Sequence, residues 1–198
     1  MGYPPSFRSG QQGQGSRKTG AVTQLVLVRH AEPLMVRETP GVEWLLTEKG
    51  RSDATVLGTR LAGRSASTVV WTSPERRARE TAALAFPLVA TRVRDQLREV
   101  KKPWYASADE HANAVAKYFR GEMVEGWEHH EAVNTRIGQL KLGLGTSESI
   151  VLVSHGLFLT MWLDHEIGLD DPFSFWSNLR MPDVWNLDLE EKSFERPV

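Results

Sequence analysis

The sequence predicts an α/β fold: a three-layer α/β/α sandwich around a mostly parallel central sheet. Three observations carry that expectation. Short apolar runs rich in β-branched residues, such as Leu25-Val26-Leu27-Val28 and Ile150-Val151-Leu152-Val153, have the length and composition of strands buried on both faces. Helical patterns alternate with them along the chain, as in strands joined by crossover helices. The runs also end abruptly in polar residues, and open α/β sheets bind ligands just beyond the carboxyl ends of their strands.

Residues 1–20 are rich in Gly, Gln, Ser and Arg and almost lack aliphatic side chains. Such a segment cannot bury enough apolar area to offset its ordering entropy, so it predicts a disordered tail. Its first six residues fit a myristoylation pattern, but the match is short and interrupted by Pro4 and Pro5. Residues 21–198 are expected to form a single domain. After the first strand, a loop with Pro33 and Pro40 leads to a helix start, with Thr47 as N-cap and Glu48 in the first turn. Ala54, Leu57 and Leu61 follow at helical spacing, and Gly63 is the predicted stop. The second strand, 68–72, runs into Ser73-Pro74-Glu75, where Ser73 as N-cap and Pro74 at the first helical position predict another helix. That helix carries Arg76, Arg77 and Arg79 and ends before Pro87. A shorter strand is expected near 89–93, then an irregular aromatic loop through Lys101, Lys102, Trp104 and Tyr105. Helical patterns follow at about 107–119 and 128–142, with Gly143 and Gly145 as punctuation. The strand at 150–153 ends in Ser154-His155-Gly156 and opens a very apolar helix, 157–167; a last strand is expected at 184–189.

The totals bound the function. A chain of 198 residues supports one substantial core. Its 24 Lys and Arg nearly balance 25 Asp and Glu, which argues against nucleic acid or a membrane surface as partner. There is no cysteine, so thiol chemistry and Cys-based zinc sites are excluded. No apolar run approaches the roughly 20 residues that span a bilayer, and no secretion signal precedes the first strand. The expected location is cytoplasmic, and the oligomeric state, monomer or homodimer, is left open.

Two buried-type strands far apart in sequence each end in a histidine, at Arg29-His30 and at Ser154-His155-Gly156. A third ends at the helix carrying Arg76 and Arg77. If the three are parallel neighbours, two imidazoles and two guanidiniums share one cleft, and the helix after Gly156 adds backbone N–H groups and a positive dipole end. Planar guanidiniums bind phosphoryl oxygens bidentately, so this is an anion site.

Together, Arg29-His30-Ala31-Glu32, Ser73-Pro74-Glu75-Arg76-Arg77-Ala78 with Thr81-Ala82, Leu97-Arg98-Glu99 and Ser154-His155-Gly156 resemble the histidine phosphatase superfamily. Its members include cofactor-dependent phosphoglycerate mutases, fructose-2,6-bisphosphatase and many small-molecule phosphatases. The resemblance implies a phosphoglycerate mutase-like fold and hydrolysis of a small phosphorylated substrate, with no cofactor and no metal. It implies His30 as the nucleophile that takes the phosphoryl group on a ring nitrogen. Arg29, Arg77 and His155 match the clamp on the phosphate oxygens, joined by Gly156, and Glu99 matches the proton donor to the leaving oxygen. Glu32 and Ser73 are expected to support these groups. The family more often has Gly where Ala31 stands and an apolar residue where Glu75 stands. Spacing from Ser73 favours Arg77 over Arg76 as the inward arginine.

The chemistry fits these groups. Histidine attacks phosphorus only when neutral, and nearby guanidiniums lower its pKa from about 6.5. They also offset charge on a loose, in-line transition state. The cations should lower the Glu99 pKa too, whereas an acid must be protonated; bound dianionic phosphate or desolvation is expected to raise it.

Other readings of these residues fit less well. His30, Glu32 and His155 could form a two-histidine, one-carboxylate metal site, which the neighbouring arginines disfavour. A phosphate-recognition module without turnover would lack use for an acid such as Glu99. A mutase, or a protein phosphatase, would share the machinery, but family mutases carry a longer insertion between acid and second histidine. Lys101 and Lys102 are read as a solvated loop. Trp104, Tyr105 and Trp127 wall the pocket or form a satellite core. His111, His129, His130 and His165 are read as surface groups, Arg136 as a salt-bridging residue, and Phe158, Met161 and Trp162 as core.

Overall fold

The structure, a computed structural model, describes residues 24–62, 68–144 and 149–197. The predicted tail and the Gly63 helix stop lie outside those residues, as does Gly145. Strand β1 (Gln24–Arg29) leads to α1 (Glu48–Leu61), β2 (Val69–Thr72), α2 (Arg76–Ala85) and β3 (Thr91–Val93). Then come α3 (Ala108–Phe119), α4 (His130–Leu144), β4 (Ile150–Ser154), α5 (Gly156–Ile167), α6 (Pro172–Ser177), β5 (Asp183–Asp188) and β6 (Ser193–Glu195). The strands form one sheet in the order β3-β2-β4-β1-β5-β6. β3, β2, β4 and β1 run parallel, and β5 pairs antiparallel with β1.

The period of two along each strand sorts side chains onto two cores. Leu25 and Leu27 of β1, with Ile150 and Leu152 of β4, pack against Val115, Ile137 and Phe158 of α3, α4 and α5. Val26, Val28, Val151 and Val153 face the other way, onto Leu57 and Leu61 of α1 and Ala78, Ala82 and Ala85 of α2. Helices therefore cover both faces, which is why the strands are apolar throughout. Each fully buried Leu or Val contributes about 1.5–3 kcal/mol, so the two central strands anchor the fold. Helix α5 is apolar on all sides because it is buried on all sides, from Gly156 to Leu163.

Local signals placed α1 and α3 well. Thr47 accepts from the Gly50 N–H at 2.9 Å, and Ser107 accepts from the Glu110 N–H at 3.3 Å. The expected Ser73 cap is corrected. Helix α2 begins at Arg76, with Glu75 extended at the N-cap position and making no side-chain cap bond. The Ser73 hydroxyl is occupied elsewhere: it accepts from the Glu75 N–H at 3.2 Å and pairs with His155 Nε2 at 2.8 Å. Helix α4 starts at His130 rather than Glu128 and continues through Gly143 to Leu144. The short α6 and β6 carry no periodicity long enough to be read from sequence.

Candidate active site

Parallel pairing brings the strand ends level. β4 lies between β1 and β2, with Arg29 opposite Ser154 and Thr72 opposite Val153. The ladder continues one step past the strands, through His30 N–H to Ser154 O at 2.9 Å and Ser73 N–H to Val153 O at 3.0 Å. That register sets His30, Ser73 and His155 side by side. The two imidazoles meet edge to face, 5.1 Å between centroids.

Arg77 sits between them. Its Nε–H donates to His30 Nε2 at 3.0 Å, and its Nη2–H donates to His155 Nδ1 at 3.0 Å. A guanidinium can only donate, so both ring nitrogens are acceptors. His30 must then carry its proton on Nδ1, donated to the Ala31 carbonyl at 2.7 Å. His155 carries its proton on Nε2, toward the Ser73 hydroxyl. Burial, and after it Arg77, holds both imidazoles well below the usual histidine range. His30 is thus neutral, with its Nε2 lone pair facing the guanidinium. Arg76 points to solvent, its side chain 55% exposed against 8% for Arg77.

The remaining expected residues converge from other elements. Arg29 Nη1–H donates to the Leu179 carbonyl at 2.9 Å, while its Nε is buried without a partner. Gly156 lets that guanidinium approach: a Cβ there would lie 3.2 Å from Arg29 Nε. Glu99 Oε1 accepts from the Phe158 N–H at 3.0 Å and the Val100 N–H at 2.9 Å, which anchors it at the α5 N-terminus. Ala31 N–H donates to Thr81 Oγ1 at 3.0 Å, fixing the turn after β1. Glu32 is not part of the cluster of imidazoles; Thr47 Oγ1 donates to its carboxylate at 3.3 Å, at the start of α1. No group of three His, Cys, Asp or Glu side chains arranged to hold a metal occurs among the described residues.

Several residues of this region escaped the sequence reading. Glu75 is buried, its Oε2 2.5 Å from Arg77 Nη2 and its Oε1 accepting from the Glu99 N–H at 2.7 Å. Burial pushes this carboxyl up despite the pull of Arg77. The only signal was its departure from the family pattern. Arg136, read as a salt-bridging residue, pairs with Glu128 at 2.8 Å, and both side chains are buried. Arg136 Nη1 also donates to the Arg98 carbonyl at 3.0 Å, and Glu128 accepts from the Lys101 N–H at 3.2 Å. The pair therefore braces the loop that presents Glu99 on both sides. His111 is not a surface group: it packs 5.4 Å from Tyr105 and 5.6 Å from Trp176, centroid to centroid, and burial lowers its pKa to about 4.

The buried histidines predict a pH dependence of stability. His30, His155 and His111 titrate below the ordinary value of 6.5 when folded and at about that value when unfolded. Below 6.5 the unfolded chain binds more protons, so stability is full above about 6.5 and falls with acid. Glu75, shifted upward, acts in the opposite sense but is one group against four, because burial lowers His130 as well. The urea midpoint is expected to drop between pH 7.5 and 5.5; an equal or higher midpoint at 5.5 would contradict this assignment.

Comparison with known proteins gives the following. The profile described as histidine phosphatase superfamily (branch 1) matches residues 25–195. No curated protein matches the chain. Among solved structures, Bacillus stearothermophilus YhfR is similar with a TM-score of 0.71 and 24% identity, over 89% of this chain and 96% of that one. Mycobacterial glucosyl-3-phosphoglycerate phosphatase Rv2419c is similar with a TM-score of 0.65 and 22% identity, over 89% and 97% of the two chains. Rv3214 from Mycobacterium tuberculosis has a TM-score of 0.64 and 25% identity, over 88% and 95%.

Proposed function

This chain belongs to the histidine phosphatase superfamily, and on that premise we propose that it hydrolyses small phosphomonoesters through a phosphohistidine on His30, without a metal ion. The observation that carries the reading is the single guanidinium of Arg77 in contact with both imidazoles. A tetrahedral oxyanion entering there would meet the Arg77 fork and the neutral Nε2 of His30, with the unpartnered Nε of Arg29 as a further donor. Phosphoryl oxygens take over the Arg77 donors, which frees the His30 lone pair.

His30 Nε2 then attacks phosphorus in line while the bond to the leaving oxygen breaks, and Glu99 gives that oxygen its proton. In the second step Glu99, now a carboxylate, takes a proton from the water that attacks phosphorus. The P–N bond breaks, its electron pair returns to Nε2, and inorganic phosphate leaves. The segment between Glu99 and His155 is filled by α3, α4 and β4 among the described residues. That compactness favours transfer to water over return to a second substrate.

The test is a screen over metabolite phosphates in the presence of chelator, with acid-labile trapping of labelled enzyme. Hydrolysis with label on His30 supports the proposal; turnover that chelation removes, or label transfer between phosphoglycerates faster than hydrolysis, would replace it. Glu99→Gln separates the two steps. Alkyl phosphates need the acid and are expected to lose about 10²- to 10⁴-fold in kcat. p-Nitrophenyl phosphate has a good leaving group, so its first step survives and its second does not. The expected trace is a burst of one nitrophenolate per enzyme, then slow turnover; equal losses on both substrates without a burst would remove Glu99 from this role.

A further inference from the structure

We propose that Glu75 is a positioning residue of this site, holding the Arg77 guanidinium from behind and tying it to the backbone of Glu99. The proposal rests on the phosphatase reading above and adds a residue to it. In arginine, Nε–H and one Nη2–H lie along a single edge, and that edge is the one facing His30 Nε2 and His155 Nδ1. The opposite edge is held by two acceptors. The Gly41 carbonyl takes Nη1–H at 2.6 Å, and Glu75 Oε2 lies 2.5 Å from Nη2. Rotation of the guanidinium would break both contacts, so the fork is fixed before substrate arrives, which removes an ordering cost from binding.

The second oxygen of the same carboxylate does different work. Glu75 Oε1 accepts the Glu99 N–H at 2.7 Å, so the element that carries the clamp and the loop that carries the acid share one anchor. Glu75 Oε1 also stands 3.6 Å from His155 Nε2, beyond hydrogen-bond reach but close enough to favour a proton on that nitrogen. An apolar residue here could do none of these things. A buried carboxylate beside a phosphate site is costly unless fully engaged. Here both oxygens are engaged, and each engagement aims a group at the reacting centre.

Glu75→Gln keeps the shape, but its single carbonyl oxygen can serve Arg77 or Glu99 and its amide must face the other. Glu75→Leu loses both links. Binding of inorganic phosphate, measured by calorimetry on the full chain, reads the clamp without needing turnover. KM and kcat on p-nitrophenyl phosphate, and thermal midpoints, are measured alongside. The dissociation constant and KM are expected to rise severalfold in the Gln variant and tenfold or more in the Leu variant, with kcat falling further in Leu. A role confined to stability would lower the midpoints and leave phosphate affinity within twofold, which would overturn the proposal. Tighter phosphate binding in Glu75→Leu would also overturn it, by making Glu75 a competitor for Arg77. Failure of the unaltered protein to bind phosphate or turn over substrate would instead fall on the phosphatase reading.

Discussion

Replacing His30 with alanine is expected to lower kcat on p-nitrophenyl phosphate by about 10⁴-fold or more, the scale seen when a covalent nucleophile is removed. The imidazole offers a neutral nitrogen lone pair to the Arg77 Nε–H, and His155 is not expected to replace it. Its Nδ1 also faces Arg77, but its Nε2 proton is held by Ser73 at 2.8 Å, and the ring is completely buried at the end of β4. Folding should survive the change. The His30 ring donates to the Ala31 carbonyl, accepts from Arg77 Nε–H and makes one ring contact, while the turn it sits on is held independently by Ser154 O and Thr81 Oγ1. Losing these bonds leaves the Ala31 carbonyl and the Arg77 Nε–H each short of a partner, at a cost of about 1–3 kcal/mol for each group that water does not reach. The measurements are steady-state turnover, circular dichroism and acid-labile label. A folded His30→Ala protein that keeps more than a hundredth of the activity, or still traps label, would place the nucleophile elsewhere.

Arg77→Met is expected to lose about 10³-fold or more in kcat/KM, because it removes two charge-assisted donors from the transition state at once. It should also destabilise the fold. Glu75 would be left buried beside the unpaired imidazoles, and breaking a buried pair in this way costs about 3–5 kcal/mol. Both side chains are only 8% exposed, so water does not relieve the loss. The double variant Arg77→Met with Glu75→Leu isolates the cause. Removing both charges should restore most of the stability, since a well-packed apolar pair replaces an ion pair at little cost, yet activity should stay at the level of Arg77→Met or lower. Urea midpoints and kcat/KM for the two singles and the double complete the cycle. A double variant no more stable than Arg77→Met would deny that the Glu75 charge is the source of the instability. Near-normal kcat/KM in Arg77→Met would remove the guanidinium from the phosphate clamp.

Much of the site is legible in the sequence because its residues stand at positions the fold must expose together. His30 and His155 each follow an apolar run, and parallel pairing of β1 with β4 makes the ends of those runs neighbours. Arg77 follows the end of β2 and was distinguished from Arg76 by spacing alone; it is the buried one of the two. Other expectations failed where one side chain served a distant partner. Ser73 has the composition of a helix cap, yet its hydroxyl goes to His155. Glu128 stands at the expected start of a helix, yet α4 begins at His130 and the Glu128 carboxylate forms a buried pair with Arg136. His111 lies in a polar helical pattern, yet it is enclosed by Tyr105 and Trp176.

Local chemistry by itself determined the strands, most helix starts, the alternation that clothes both faces of the sheet, and the identity of the groups delivered to its carboxyl edge. These follow from hydrophobic period and backbone capping, which act between residues close in the chain. Tertiary packing alone decided which proton each imidazole carries, which carboxylate neutralises Arg77, and which buried pair braces the Glu99 loop. Those outcomes depend on hydrogen-bond direction and desolvation between groups remote in sequence. Both are set only when the sheet has closed and water has left.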